Sequence, residues 1–283
     1  MSKAPKSTAT LSIGSMSKAS ITETITHDGF LVVSDLHVGA IDQAQDHWPA
    51  RLESLASYAF HHQLHLVIAG DLFDWWMDYP NARPTSYFPF LEQWRSFTEK
   101  GLQITLIPGN HDYWIDDSKT LAGIDIKRES LTLETPFGSI FVFHGDGFDH
   151  PTKNLPKPWL HQWLQHPWFV SFYQAILPPK MGWKLMASFS SWKRSPDTSI
   201  DRLNQWAQTS IPAMDAIIAV CGHDHEQRIT KVGEKWYVNL GLFLEDQVTL
   251  QYKNQTLSLV RIETSTQTSW PNLKIFHTET SSV

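Results

Sequence analysis

Five short clusters of polar residues carry the side chains in this chain that could do chemistry. They are Asp35-Leu36-His37, Gly70-Asp71-Leu72-Phe73-Asp74, Gly109-Asn110-His111-Asp112, His144-Gly145-Asp146 and Gly222-His223-Asp224-His225. Together they offer carboxylate, amide and imidazole donors, and they contain no thiolate. Such donors suit borderline divalent ions, and a water bound to such an ion can ionise near neutral pH. The clusters therefore predict a metal site at which water is activated.

Seven of these residues are candidate metal ligands, namely Asp35, His37, Asp71, Asn110, His144, His223 and His225. Seven donors are more than one ion with about six ligands can use. If Asp71 bridges, Asp35, His37 and one late histidine can hold one ion, while Asn110, His144 and the other late histidine hold a second. Two such ions clamp the attacking and leaving oxygens of a phosphoryl displacement, and their excess positive charge suits an anionic phosphate. We expect two divalent ions, manganese first, with iron, zinc and nickel as alternatives.

Each of these residues also has a plainer reading when it is taken alone. Asp35 could cap a helix, Asn110 could belong to a turn, and His144 could be a hydrogen-bonded core histidine. His223 and His225 could lie in a solvated loop. The occurrence of all of them in one complementary ligand set favours the metal site.

The elements that must position these clusters are short β-branched runs, because each cluster directly follows one. The predicted strands are residues 30–34, 65–69, 104–107, 139–143 and 216–220. Apolar residues at helical spacing predict a helix over residues 51–63. Sites in open α/β sheets lie beyond the carboxyl ends of the strands, so the five clusters can converge on one crevice. Three later strands, at 235–239, 247–252 and 256–262, are predicted to form an antiparallel meander.

Composition narrows the class of protein further. The chain has 283 residues, of which 41% are hydrophobic and 12% aromatic, enough for a full-sized core. Its formal net charge of −6 argues against a partner that is a nucleic-acid polymer. One cysteine, Cys221, allows no internal disulfide and suggests a reducing compartment. With no apolar stretch long enough to span a bilayer, we expect a cytoplasmic protein, with peripheral contact to the inner face of the cytoplasmic membrane as an option.

The predicted organisation is one α/β domain with an insertion and two tails. Residues 1–27 and 264–283 are rich in Ser and Thr and are expected to be tails, the first of them disordered. Residues 28–263 form the catalytic domain, and residues 151–210 form a helical cap inserted in it.

The order of the five clusters resembles the calcineurin-like metallophosphoesterase superfamily. The resemblance covers Asp35 to His225 and includes all seven candidate ligands. It implies a four-layer α/β/β/α sandwich and dinuclear hydrolysis of a phosphate ester or anhydride. It also implies that His111 lies near the scissile phosphate, where it stabilises charge or protonates the leaving oxygen, and that Asp112 orients His111.

A narrower resemblance concerns the substrate. The Ser34-Asp35-Leu36-His37 run, Trp76 after the second cluster, and Lys157-Pro158-Trp159-Leu160 are similar to the UDP-2,3-diacylglucosamine diphosphatase family of lipid A biosynthesis. This resemblance implies an amphiphilic nucleotide-sugar substrate that is cleaved to UMP and 2,3-diacylglucosamine 1-phosphate. A general metallophosphoesterase acting on nucleotides or phosphoproteins is the alternative. A non-catalytic binding scaffold is disfavoured, because no ligand of the motif set is missing.

The predicted cap carries two features that could serve such a substrate. Residues 151–205 contain five Trp and a net charge of +5, and an apolar helical stripe comprises Trp168, Phe169, Phe172, Tyr173, Ile176 and Leu177. A second apolar face holds Leu185, Phe189 and Trp192. One interpretation is a helical lobe that only packs on the core. The other is a cap in which Trp168, Phe169, Phe172 and Ile176 hold acyl chains, while Lys153 and Lys157 meet a phosphorylated head group or an anionic membrane.

Overall fold

A computed structural model describes residues 21–23, 29–40, 48–116, 119, 121–128, 130–146, 163–192, 199–262 and 276–277. Within these residues the strands form two sheets. Two predicted substrate-binding residues, Lys153 and Lys157, lie outside the described residues, as do the side chains of Phe189 and Trp192.

One sheet has seven strands in the described part of the chain. In order across the sheet they are β13 (Phe276–His277), β12 (Thr256–Arg261), β11 (Val248–Lys253), β2 (Gly29–Val33), β3 (Leu64–Ala69), β4 (Ile104–Ile107) and β5 (Asp125–Ile126). Strands β2 to β5 run parallel, and β11 joins β2 in antiparallel fashion. Every residue of β2, β3 and β4 is buried, as expected for central strands covered on both faces.

The other sheet has six strands among the described residues. In order they are β1 (Ile21–Glu23), β6 (Leu131–Thr135), β7 (Gly138–Val142), β8 (Ile218–Cys221), β10 (Lys235–Asn239) and β9 (Arg228–Val232). Here β7, β8 and β10 run parallel, so their carboxyl ends lie at one edge.

Helices cover the outer faces of both sheets. The described helices are α1 (Trp48–His61), α2 (Phe90–Thr98), α3 (Pro167–Ile176), α4 (Pro179–Trp192), α5 (Ser199–Ser210) and the single turn α6 (Phe243–Asp246). Leu52 and Leu55 of α1 pack on the seven-stranded sheet, and Leu203 and Trp206 of α5 pack on the six-stranded sheet. Between the sheets lies a third cluster of apolar side chains that both contribute. The predicted four-layer α/β/β/α sandwich is confirmed.

The prediction that the three late strands form one antiparallel meander is wrong. Strand β10 lies parallel to β8 in the six-stranded sheet, whereas β11 pairs with β2 in the other sheet. The chain crosses between the layers through α6, and only β11 and β12 form the expected hairpin. Strand β9, which sequence reasoning missed, pairs with β10 at the edge of its sheet, where polar residues such as Lys231 are tolerated.

Short strands also occur in the segments expected to be tails. Strand β1 lies within residues 1–27 and pairs with β6, and β13 lies within residues 264–283 and pairs with β12. The expectation of disorder therefore does not hold for Ile21–Glu23. Within residues 151–210, α5 belongs to the helical layer on the six-stranded sheet. Helices α3 and α4 instead pack against the apolar cluster of the seven-stranded sheet, through residues such as Phe169 and Met186. The cap boundary stays a prediction. No helix in the described ranges is long and apolar enough to cross a membrane.

Candidate metal centre

The five polar clusters begin where five strands end, three in one sheet and two in the other. The loops after β2 and β3 are held together by backbone hydrogen bonds from Asp35 N to Gly70 O (3.1 Å) and from His37 N to Asp71 O (2.9 Å). The loops after β7 and β8 are joined by a bond from Gly222 N to His144 O (3.0 Å). Because the carboxyl ends of both sheets meet at this edge, all seven predicted ligands lie in one region.

The backbone at most of these ligands is unusual. Five of the seven have a positive φ: Asp35 (51°), His37 (44°), Asp71 (51°), His223 (78°) and His225 (60°). Each such residue costs on the order of 1–3 kcal/mol, and such outliers cluster at functional sites. The strain indicates that the positions required of the side chains, rather than the conformational preference of the backbone, determine the local conformation here.

Two glycines make room for the buried carboxylates. A Cβ atom on Gly109 would overlap the carboxylate of Asp71, and a Cβ atom on Gly222 would overlap the carboxylate of Asp35. Any side chain at either position would displace the carboxylate beside it. These close approaches explain why glycine stands directly before two of the ligand residues.

Four donors form one group around the end of β2. The Nε2 atoms of His37 and His225 lie 2.9 Å apart, and Asp35 Oδ1 lies 3.4 Å from His225 Nε2 and 3.8 Å from His37 Nε2. Asp71 Oδ2 lies 3.6 Å from His37 Nε2. Ligands bound at about 2.1 Å to one ion are separated by roughly 3–4 Å, so these spacings fit a single divalent cation.

A second group shares Asp71 with the first. Its Oδ2 atom lies 3.3 Å from His144 Nε2, which in turn lies 3.2 Å from Asn110 Oδ1. His223 stands beside this group, with its ring centroid 5.0 Å from that of His144. One oxygen of Asp71 thus lies between His37 and His144.

Oxygen atoms beside Nδ1 of two imidazoles leave Nε2 of each ring to face a metal. His144 Nδ1 lies 3.0 Å from the carbonyl oxygen of Ala69, to which it can donate. His37 Nδ1 lies 3.3 Å from Asp74 Oδ1. Partners of this kind fix the tautomer and raise the basicity of Nε2, as is usual behind metal-ligating histidines.

Charge in this region is balanced by protons in the metal-free protein. Burial opposes ionisation of Asp35 and Asp71, yet nearby histidines hold the pKa of both carboxyls below the usual range. Against the effect of burial, the carboxylates of Asp35 and Asp74 beside the ring raise the pKa of His37 to about 10, and Asp71 raises the pKa of His144. Burial lowers the pKa of His223. The two carboxylates are therefore ionised and ready for cations, so the donor set fits the expected metal ions.

His111 lies beside this centre, and the contacts of its neighbour Asp112 differ from those predicted. Its backbone N–H donates to Asp71 Oδ1 (3.0 Å), and its Nδ1 lies 2.8 Å from the carbonyl oxygen of Asp74. Asp112 was predicted to orient His111, but its carboxylate accepts from Gly109 N (2.7 Å) and Phe73 N (3.3 Å). Asp112 thus ties two ligand loops together, and burial with the charge of Asp71 raises its pKa to about 7.

Asp74 is the residue that sequence reasoning quoted but did not place in the site. It is buried, and it faces both His37 Nδ1 and His111 Nδ1. The signal was the second acidic residue of Gly70-Asp71-Leu72-Phe73-Asp74, three positions after the predicted bridging ligand.

The predicted apolar stripe is divided between two surfaces of α3. Trp168, Phe172 and Ile176 are 61%, 50% and 59% exposed. Phe169 instead packs against the core, and Tyr173 is buried. Of the four residues predicted to hold acyl chains, three are thus presented to the outside and one is structural.

Helices α3 and α4 are attached to the loops that carry the site. Trp183 Nε1 donates to Met77 O (2.8 Å), and Gln174 Nε2 donates to Asp78 O (2.7 Å). Trp114 Nε1 donates to Leu164 O (3.2 Å). Met77 and Asp78 follow Asp74 closely, and Trp114 follows Asp112, so the helical pair is fixed within a few residues of the centre.

The chain belongs to the calcineurin-like phosphoesterase family, whose model matches residues 29–227. The matched part of the chain is therefore a calcineurin-like phosphoesterase domain. A UDP-2,3-diacylglucosamine hydrolase of Porphyromonas gingivalis (strain ATCC BAA-308 / W83) is 29% identical over 148 residues, which are 51% of this chain and 56% of that protein. The match thus spans little more than half the length of this relative.

The solved structures that match this chain have low sequence identity to it. A conserved uncharacterized protein from Streptococcus pneumoniae TIGR4 is 15% identical, with a TM-score of 0.40 over 87% of this chain and 95% of that chain. Vacuolar Protein Sorting 29 from Cryptosporidium parvum is 14% identical, with a TM-score of 0.40 over 85% of this chain and 95% of that chain.

Proposed function

We propose that the protein is a dinuclear metal phosphohydrolase that cleaves the pyrophosphate of UDP-2,3-diacylglucosamine to UMP and 2,3-diacylglucosamine 1-phosphate. The observation that carries the dinuclear assignment is the position of Asp71 Oδ2, which lies 3.6 Å from His37 Nε2 and 3.3 Å from His144 Nε2. Asp35, His37, Asp71 and His225 would hold one ion. Asp71, Asn110, His144 and His223 would hold the other.

Two bound divalent ions would polarise the phosphate and supply a nucleophile at neutral pH. The residues around them have separate tasks. Asp35 and Asp71 keep their negative charge, and His37 and His144 present neutral Nε2 lone pairs once their protons are displaced. Manganese is the ion we propose, because carboxylate, amide and imidazole donors without thiolate suit it.

His111 is the proposed proton carrier for the leaving oxygen. Burial lowers the pKa of its imidazole. Its Nδ1 proton is directed to the carbonyl oxygen of Asp74, so a transferable proton can be held only at Nε2. His111 is also partly exposed, as a group that must reach substrate has to be.

Support for a lipid-linked substrate comes from the helical pair α3 and α4 and from the relative named above. Trp168, Phe172, Ile176, Met181 and Leu185 are all at least half exposed on these helices. Monomeric proteins rarely expose so many large apolar side chains together unless the surface binds something. Because this surface is attached to the loops of the centre, acyl chains bound there would bring a phosphorylated head group close to the metals.

We further propose that the same surface receives its substrate at an anionic membrane. Between Trp163 and Trp192 the formally charged residues are Lys180 and Lys184, and there is no Asp or Glu in this stretch. Apolar side chains with positive charge and no opposing acid fit a membrane surface of anionic lipids. Lys153 and Lys157 are proposed to contact the head group of the substrate.

The test is turnover of UDP-2,3-diacylglucosamine in the presence of Mn²⁺, measured as release of UMP. A chromogenic phosphodiester and the deacylated nucleotide sugar serve as matched substrates. The proposal expects a far higher kcat/KM for the acylated substrate than for the deacylated one. Equal kcat/KM for both, or hydrolysis of the chromogenic diester without release of UMP, would favour a general phosphoesterase acting on nucleotides or phosphoproteins.

A further inference from the structure

We infer that Asp224, Asn239 and Arg228 form a clamp that positions the loop carrying His223 and His225, and thereby determines the metal affinity of the centre. The inference rests on the metal-binding part of the proposed function and not on its substrate. Both histidines have left-handed backbone, with φ of 78° and 60°. Residues other than the metal ligands must stabilise this backbone conformation. The contacts of Asp224, which lies between the two histidines, identify them.

The side chain of Asp224 contacts strands β9 and β10, through Arg228 and Asn239. It is fully buried, whereas that of His225, the next residue, is 39% exposed. Its Oδ1 atom accepts from Glu226 N (3.2 Å) and from Asn239 Nδ2 (2.8 Å), and its Oδ2 atom forms an ion pair with Arg228. A buried carboxylate with this many partners is fixed in place, since losing any one of them leaves charge uncompensated.

Asn239, at the end of β10, connects the loop to the sheet. Its Nδ2 group donates to Gly222 O (2.7 Å) as well as to Asp224 Oδ1, and its Oδ1 atom accepts from Gly241 N (3.0 Å). Both donors and the acceptor of this buried amide are therefore used. Asn239 grips the loop on the two residues that flank His223, so the rotation of the loop about His223 is restricted.

Arg228 completes the clamp from the neighbouring strand. It is the partner of Asn239 in the register between β9 and β10, and its guanidinium lies 5.9 Å from the ring centroid of Tyr237. The guanidinium of Arg228 is thus held against the β9–β10 strand pair and is not free in solvent. Glu226 also contacts Arg228 (3.3 Å), but its side chain is mostly exposed and the pair is of the weak surface type.

The loop transmits its position to a second ligand. The backbone N–H of His223 donates to both carboxylate oxygens of Asp35, at 3.1 and 3.0 Å. A displaced loop would therefore move His223, His225 and Asp35 together. Asp224, Asn239 and Arg228 touch no reacting atom, so they are positioning residues whose effect is on metal affinity.

The experiment compares Mn²⁺ affinity and turnover for Asp224→Asn, Asn239→Ser and Glu226→Gln in the full chain, with the exposed Glu226 as matched control. Binding is titrated calorimetrically, and turnover of a chromogenic phosphodiester is measured at saturating Mn²⁺. Outer partners of metal ligands typically change affinity by about 10–100-fold, and we expect that loss for Asp224→Asn and Asn239→Ser. Excess Mn²⁺ should restore their turnover, and Glu226→Gln should match the wild type.

A purely structural role would lower turnover without rescue, because misfolded protein is not recovered by metal. Should Asn239→Ser fold poorly, Asp224→Asn together with Arg228→Met keeps the inference testable: the double variant should bind Mn²⁺ no more weakly than Asp224→Asn alone. Folded variants with wild-type Mn²⁺ affinity would overturn the inference. Wild-type protein that binds two Mn²⁺ but releases no UMP would overturn only the proposed substrate.

Discussion

His37 Nε2 and His225 Nε2 lie 2.9 Å apart, although 188 positions separate the two residues in the chain. Two imidazole nitrogens at this distance share either a proton or a cation, because their lone pairs would otherwise repel. Without metal, Asp35 and Asp74 overcome the effect of burial and raise the pKa of His37 to about 10. A proton is thus the competitor of the metal ion at this position.

This competition predicts how the metal-free protein responds to pH. Because the folded pKa of His37 is raised, the stability that its proton contributes is complete below about pH 6.5 and is lost as pH rises toward about 10. We expect urea unfolding of the chelator-treated protein to show a lower free energy at about pH 9.5 than at about pH 7. Binding of Mn²⁺ should release protons and tighten as pH rises. A pH-independent affinity over this window would contradict the assignment of His37 as a ligand.

Replacing Asp71 tests the shared oxygen. Asp71→Ala should reduce bound Mn²⁺ to less than one ion per chain and abolish hydrolysis, because both donor groups lose a member. Replacement of the terminal ligand Asn110 by Ala should leave one site intact and be partly rescued by excess Mn²⁺. Metal content is measured by mass spectrometry on desalted protein, with Asp125→Asn, an exposed residue of β5, as control. Two ions per chain in Asp71→Ala would show that Asp71 does not bridge.

His111 is expected to affect the chemical step and not the metal. His111→Ala should lower kcat by about 10²–10⁴-fold, as for a lost general acid. Metal content should stay at the wild-type value, since Nδ1 of His111 is engaged by the carbonyl oxygen of Asp74 and its ring meets His37 only in an edge-on ring contact, with 4.7 Å between centroids. His111→Arg tests whether positive charge alone suffices. Loss of metal in His111→Ala with normal turnover per occupied site would instead make His111 a ligand.

The exposed face of α3 allows the lipid proposal to be tested without unfolding the protein. Phe172→Gln alters a side chain that is half exposed, whereas Phe169→Gln alters one that packs on the core. Since each buried CH₂ contributes about 0.8 kcal/mol, loss of an acyl contact should lower kcat/KM for the acylated substrate at least several-fold. Turnover of a chromogenic phosphodiester by Phe172→Gln should be unchanged. If both activities fell together, acyl binding at this face would be excluded.

The local parts of this architecture could be predicted from sequence, and the parts that depend on tertiary contacts could not. The clusters at strand ends are recognisable because apolar runs and the polar loops that follow them are adjacent in the chain. The sheet that β10 joins is decided by its pairing with β8, which no local pattern encodes. Asp112 follows His111 directly, yet its side chain binds Gly109 N and Phe73 N, because adjacency along a loop does not specify direction. A stripe that includes both Phe169 and Phe172 is wider than one helix face. Phe169 therefore packs on the core, while Phe172 remains exposed.

The ligands come from both halves of the sandwich: Asp35, Asp71 and Asn110 follow strands of one sheet, and His144 and His223 follow strands of the other. Bound ions would therefore act as cross-links between two layers whose shared interior is formed by apolar side chains such as Val67 and Val220. Sliding one layer past the other by even one ångström would separate the donors. Metal affinity should therefore depend on how the two sheets are aligned with each other. A substitution between the sheets, far from any ligand, would then lower the affinity for the ions.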